Sequence, residues 1–394
     1  MTRQQPPMRV ALVVPHMFMH RDILPKVIFS PGQLALSLAD QLLRLDVDVT
    51  LFSPGPVNTA AKNIVADLSL FQAELDRRGD TYLDLLRKHS VTFVTLARQV
   101  QAELIAKAYK MANDGEFDIV HVYTNEEELA LSFAELCNKP VVFTHHDPFN
   151  FLIRYKSSMP KYASRNWLAL SEAQKRSSPT DTNWIATIYH GMDDPELHPV
   201  AHPTSDYFAY SGRIVSPKGV HLAIGAVKEF NKQTGQNVKL KIAGKHYADT
   251  NNDSYWGEKI EPELGEMIEY VGFIDTSDDK RSFYGNARAL IVPSLFDEPF
   301  GMVSIEALAC GTPVVAVGSG ALPEIIKEEA TGFVVDKGNE PIDEVKIIQH
   351  LATKLGQVDE IDRQLCRKDF EDRFTGQRMA ADHKRAYERL LKRS

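Results

Sequence analysis

Short continuous apolar runs alternate with longer segments whose apolar residues recur every three or four positions, and the scheme appears twice along the chain. "MRVALVVP" is apolar from Val10 to Val14, up to its proline, as a parallel strand buried on both faces would be. In the following "GQLALSLADQLLRLDVDVTLFSP", Leu34, Leu38 and Leu42 repeat at helical spacing before "DVTLF" turns strand-like. Much later, "DYFAYSGRIVSPKGVHLAIGAVKEFNKQTGQNVKLKIAGK" repeats strand, glycine-containing loop, helix and strand. Two such beginnings about two hundred residues apart predict an α/β protein of two doubly wound Rossmann-like domains facing across a crevice.

Between these starts the pattern predicts a helical stretch from about Asn58 to Lys110, then strands at "DIVHVY", "PVVFTHHDP", "NWLALS" and "WIATIYHG". A linker follows, marked by Pro195, Pro199 and Pro203. Further strands are expected at "MIEYVGFI", "ARALIVPS", "PVVAVGS" and "TGFVVD", and a last helix carries Met379, Ala386 and Leu390 as packing positions. The domains expected are residues 1–195, residues 196–374, and a C-terminal helix over 375–394 that packs back on the first domain. A chain of 394 residues is long enough for two cores.

Composition narrows the function classes. A formal net charge of -8 argues against nucleic-acid binding driven by bulk positive charge. Cys137, Cys310 and Cys366 lie far apart, without the spacing of a disulfide framework or a zinc site. The apolar run Val10 to Val14 is cut by Pro15 and His16, too short for a membrane span, so a cytoplasmic protein is expected. Around "FNFLIRYKSSMPKYASRNWLALSEAQKR", the bases Arg154, Lys156, Lys161, Arg165, Lys175 and Arg176 interleave with Phe149, Phe151, Tyr155, Tyr162 and Trp167. That segment reads as a solvated face over core aromatics, with peripheral contact to the inner membrane face left open.

Ligands of open α/β sheets bind beyond the carboxyl ends of the strands, so the loops there carry the candidate chemistry. Arg213 and Lys218 in "GRIVSPKG" place two cations before a helix N-terminus, which suits a diphosphate. In "EPFGMVSIEALACGTPVVA", Glu298 precedes a turn and Glu306 follows after seven intervening residues. Such carboxylates can accept hydrogen bonds from two parts of a long polyhydroxylated ligand, and a sugar nucleotide has that layout. His145, His146 and Asp147 follow another strand; a metal site is set aside there because no further ligands stand at a recognisable spacing.

"SGRIVSPKGV", "EPFGMVSIEALACGTPVVA", "PEIIKEEATGFVV" and "FTHHDP" together resemble the motifs of retaining GT-B glycosyltransferases of family 4, over nearly the whole chain. The resemblance implies transfer of a hexose-type sugar from a nucleotide sugar, UDP-sugar favoured over GDP- or ADP-sugar, with retention of configuration. The nucleotide sugar is then a co-substrate; no separate cofactor and no metal are implied. By the same resemblance, Arg213 and Lys218 hold the diphosphate, and Glu298 with Phe300, Gly301, Met302 and Val303 holds the donor sugar. Glu306 then takes the ribose, and Gly272, Phe273 and Ile274 read the base. His146 faces the donor sugar across the crevice, with His145 as the alternative, and joins Glu298, Arg213 and Lys218 as the catalytic set. Two positions depart from the family pattern. Gly32 stands alone where a Gly-Gly pair is usual, so its expected donor contact carries less weight, and His190-Gly191 replaces Asn-Gly, with His190 read as a linker residue. On this reading the acceptor is a small molecule, a lipid or a glycan. A nucleotide-sugar 2-epimerase of the same fold and a non-catalytic nucleotide-sugar-binding subunit are the alternatives.

Overall fold

The computed structural model describes residues 6–123, 127–150, 152–246, 254–339 and 341–393; Phe151 lies outside them. The chain divides into two compact units. The first comprises Met1–Leu170, Gln174–Asp193 and Gly376–Ser394, and the second comprises Ser171–Ala173 and Asp194–Thr375.

The first unit is built on a seven-stranded parallel sheet: β1 (Met8–Val13), β2 (Val47–Ser53), β3 (Lys62–Val65), β4 (Ile119–Tyr123), β5 (Val141–Thr144), β6 (Asn166–Ala169) and β7 (Trp184–Thr187), in the order β3-β2-β1-β4-β5-β6-β7. From Val10 to Val14 the chain is wholly buried, as a central parallel strand requires. The helix Ser30–Arg44 buries Leu34, Leu38 and Leu42. Met17, Met19 and Phe29 of the preceding loop are buried, so these side chains pack.

The expected helix from Asn58 to Lys110 needs correction. Lys62–Val65 instead adds an edge strand to β2, and three helices follow, Ser69–Arg78, Tyr82–Lys88 and Ser90–Asn113. Four edge residues are too few for a readable alternation, and the Thr81–Asp84 capping box starts a fresh helix inside the stretch. The last helix, Gly376–Leu391, buries Met379, His383, Ala386, Tyr387 and Leu390 in the first unit and packs against the Ser30–Arg44 helix.

The second unit holds a six-stranded parallel sheet: β8 (Tyr207–Ser211), β9 (Lys239–Ala243), β10 (Ile268–Gly272), β11 (Leu290–Val292), β12 (Val314–Val317) and β13 (Gly332–Val335), in the order β10-β9-β8-β11-β12-β13. This is a doubly wound order, and its direction reverses between β8 and β11. The loops leaving those two strands therefore carry the strongest expectation of a ligand site. Among the described residues no helix is long and apolar enough to cross a membrane.

Candidate functional site

β8 ends at Ser211, and the chain passes through Arg213 into a single 3-10 turn, Ser216–Lys218. Gly219 then adopts a left-handed φ of 69°, and a Cβ there would lie 2.1 Å from the Pro293 carbonyl oxygen. Only glycine lets this loop press onto the chain leaving β11. The two loops are also bonded directly, since Leu295 and Phe296 donate their backbone N–H to the Pro217 carbonyl at 2.9 and 3.1 Å.

That contact brings Lys218 to Glu298. The ammonium lies 2.5 Å from Oε1 and 4.7 Å from the Phe296 ring centroid, with only 17% and 12% of the two charged side chains exposed. Arg213 is half-buried, and its carbonyl accepts a bond from the Tyr210 hydroxyl at 3.1 Å. The Glu298 backbone is held from the other side, where its carbonyl accepts from Ala321 N–H at 2.8 Å. Gly320 has a φ of 56°, and a Cβ there would lie 2.2 Å from the Glu298 oxygen.

Phe300 is buried, and Gly301 leads into the helix Met302–Ala309, which has no side-chain cap. Its first-turn N–H groups, those of Met302 and Val303 among them, lack intrahelical acceptors by geometry, which makes this end suited to negative charge. The buried Ser304 hydroxyl has no hydrogen-bond partner among the described residues.

One turn further, Glu306 is held by two side chains of the helix Ser277–Gly285. Lys280 meets Oε1 at 2.8 Å, and the Tyr284 hydroxyl donates to Oε2 at 2.8 Å. Glu306 raises the Lys280 pKa above its ordinary value, while burial and then Glu306 push the Tyr284 hydroxyl well up. Gly272 ends β10, Phe273 beside it is 39% exposed, and half-buried Ile274 follows. The Lys245 ammonium stands 4.1 Å from the Phe273 ring centroid, its pKa lowered by burial. The sequence pattern assigned Glu298, Glu306, Arg213 and Lys218 but missed Lys280, Tyr284, Gly320 and Phe296. The spacing of Lys280 and Tyr284, four apart on one helix face, was the available signal.

In the first unit, β5 delivers His145 and His146. His145 is buried, with Nδ1 2.8 Å from the Glu127 carboxylate and its ring stacked on Phe149 at 5.0 Å. Burial works to lower the His145 pKa, but Glu127 first among the acids reverses this and leaves it raised. His146 is half-buried, 4.4 Å from the Tyr123 ring and stacked on His190 at 5.3 Å and 7°. The linker reading of His190 is thus corrected: the residue is buried. Arg378 of the last helix donates to the Tyr189 and His190 carbonyls at 2.7 and 3.0 Å and ties the segment down.

His121 completes the layer, bonded to the Tyr387 hydroxyl at 2.6 Å and Thr144 Oγ1 at 2.8 Å, with His383 5.6 Å away. Burial holds His121 and His146 well below the ordinary histidine value, His190 at about 3 and His383 at about 4. Gly32 lies inside the Ser30–Arg44 helix, where a Cβ would meet Phe29 at 2.7 Å and Leu24 and Met19 at 3.1 Å. Its visible role is packing.

Two α/β units of this topology, with paired cations and carboxylates beyond the second sheet, define the GT-B class of glycosyltransferase, and the chain belongs to the glycosyl transferases group 1 family. The model described as "Glycosyl transferases group 1" matches residues 198–354, and "Glycosyltransferase Family 4" matches residues 32–194. The capsular polysaccharide biosynthesis glycosyltransferase CapM of Staphylococcus aureus is 31% identical, the match covering 62% of this chain and 67% of that protein. Sucrose-phosphate synthase from Thermosynechococcus elongatus superimposes with a TM-score of 0.71 at 19% identity, covering 98% of this chain and all (100%) of that one. Anabaena HepE in complex with UDP-glucose does so with a TM-score of 0.63 at 18% identity, over 98% and 100%. At such identities these two structures speak for the fold.

Proposed function

We propose that the protein transfers a hexose-type sugar from a nucleoside diphosphate sugar, UDP-sugar favoured, to an acceptor with retention of anomeric configuration. The observation that carries this is the Lys218–Glu298 pair at the reversal point of the second sheet, with Arg213 on the same loop and Glu306 on the next helix. The likeness to HepE, solved with UDP-glucose, supports the choice of donor.

Breaking the bond between anomeric carbon and diphosphate spreads positive charge over the sugar and leaves a polyanion. Arg213, Lys218 and the start of the Met302–Ala309 helix stabilise that anion as its charge develops, each good donor contributing on the order of 3 kcal/mol. As the diphosphate takes over the Lys218 ammonium, Glu298 is released to accept hydroxyl groups of the sugar. Glu306 accepts from the ribose, and Gly272, Phe273 and Ile274 meet the base. His146, assigned by resemblance, acts on the donor sugar as a neutral imidazole, since burial first and His190 next hold its pKa down. The exposed Ile153, 86% accessible beside Arg154 and Lys156, supports a peripheral membrane contact.

Titration calorimetry of wild type and Glu306→Ala with UDP, GDP and ADP, each alone and as its glucose conjugate, tests the reading. One nucleotide should bind and weaken by about 1 to 3 kcal/mol in the mutant. No binding by folded wild type would remove the donor assignment. With a donor that turns over, the anomeric coupling of the product by NMR decides retention, and a product still on its nucleotide would indicate epimerisation.

A further inference from the structure

We propose that Lys280 and Tyr284 are positioning residues that preset the Glu306 carboxylate for two vicinal hydroxyls, and so select a ribonucleotide over its 2′-deoxy counterpart; this rests on the nucleotide-sugar reading above. An ionised carboxylate offers about four acceptor positions, two on each oxygen. Lys280 occupies one on Oε1 and Tyr284 one on Oε2, both at 2.8 Å. One position per oxygen remains, which matches two donors on adjacent carbons. A nucleotide with a single hydroxyl there satisfies only one of them and leaves the other acceptor of a charged, largely covered group unmet, since Glu306 is only 13% exposed.

The two holders act as a rigid pair. They stand four residues apart on the helix Ser277–Gly285, whose start is fixed by the Thr276 cap and by Ser277 Oγ donating to Asp194 at 2.6 Å. Tyr284 is 1% exposed, so its hydroxyl remains a protonated donor. Its oxygen also shares a hydrogen bond of 2.9 Å with Ser211 Oγ. Ser211 ends β8 and directly precedes Gly212 and Arg213, so the orientation of the Glu306 carboxylate is tied to the start of the loop assigned to the diphosphate.

Calorimetry with UDP, GDP and ADP on the full chain first identifies the nucleotide bound. That nucleotide and its 2′-deoxy form are then titrated into wild type, Tyr284→Phe, Lys280→Met and Lys280→Arg, each checked by a circular dichroism melt. Wild type should prefer the ribonucleotide about tenfold or more, the size of a lost hydrogen bond to a charged group. Tyr284→Phe and Lys280→Met should cut that preference about fivefold by weakening the ribonucleotide alone, and Lys280→Arg should restore most of it. If Tyr284→Phe does not fold, the two lysine variants decide. A wild type without the preference, or folded variants that weaken both nucleotides equally or leave the ratio unchanged, overturns the proposal and leaves the donor assignment standing. No nucleotide binding by folded wild type overturns both.

Discussion

Acidification from pH 7 to pH 5 should destabilise the first unit through its buried imidazoles. His190 and His383 have folded-state pKa values of about 3 and about 4, set by burial first, then by His383 and Arg378 around His190 and offset by the Met379 carbonyl at His383. His121 and His146 lie well below the ordinary value for the same reason. Because these folded values are depressed, the unfolded chain binds protons that the native state refuses. The stability is fully present above the unfolded value near 6.5 and is lost as pH falls from there toward the folded values. At pH 5 the loss is about 2 kcal/mol each for His190 and His383, and His121 and His146 add in the same direction. Asp382 faces His383 and moderates its shift, while His145, raised by Glu127, opposes the trend because its contribution is present at low pH and lost as pH rises. A net loss on the order of 4 kcal/mol is a large part of the roughly 5 to 15 kcal/mol typical of a domain. Urea unfolding followed by tryptophan fluorescence measures it, since Trp167 and Trp184 lie in the first unit and Trp256 in the second. His190→Asn should remove about 2 kcal/mol of the pH dependence. Equal midpoints at pH 7 and pH 5 with an unchanged denaturant slope would refute the reasoning.

Lys218→Met should lower kcat about a hundredfold or more with a competent donor while the fold persists, because a leaving-group donor is lost; steady-state kinetics beside a thermal melt checks it. Gly320→Ala should cost about 1 to 3 kcal/mol, since the new Cβ meets the Glu298 backbone at a left-handed φ. Its melting temperature should fall together with nucleotide affinity. Glu127→Ala strips the buried His145 of its acid and should cost about 3 to 5 kcal/mol, read by urea unfolding at pH 7.

Much of the architecture was legible because parallel strands buried on both faces are largely apolar, and the runs 10–14, 141–143, β11 and β12 are continuously so. Where that constraint relaxes, legibility fails: the edge strand Lys62–Val65 is half-exposed and was lost in a stretch assigned to helix. The paired glutamates and the Arg213–Lys218 loop stood out because charge and glycine sit at strand ends in an otherwise apolar pattern. The partners of those charges did not. Lys280 and Tyr284 look like ordinary positions of a polar helix, and His190 like part of a linker, until folding brings them against Glu306 and His146.

The sequence by itself determined two parallel-sheet units, the order of their buried strands, and which charged side chains reach the carboxyl ends of the strands of the second sheet, because hydrophobic period and turn chemistry are local properties. Only the tertiary structure decided which charges meet. Lys218 and Glu298 are 80 positions apart, Lys280 and Glu306 are 26, and His121 and Tyr387 are 266. Contacts at those separations follow from how helices and loops close on a sheet, and glycine at positions such as Gly219 and Gly320 permits them by leaving room for one backbone to touch another.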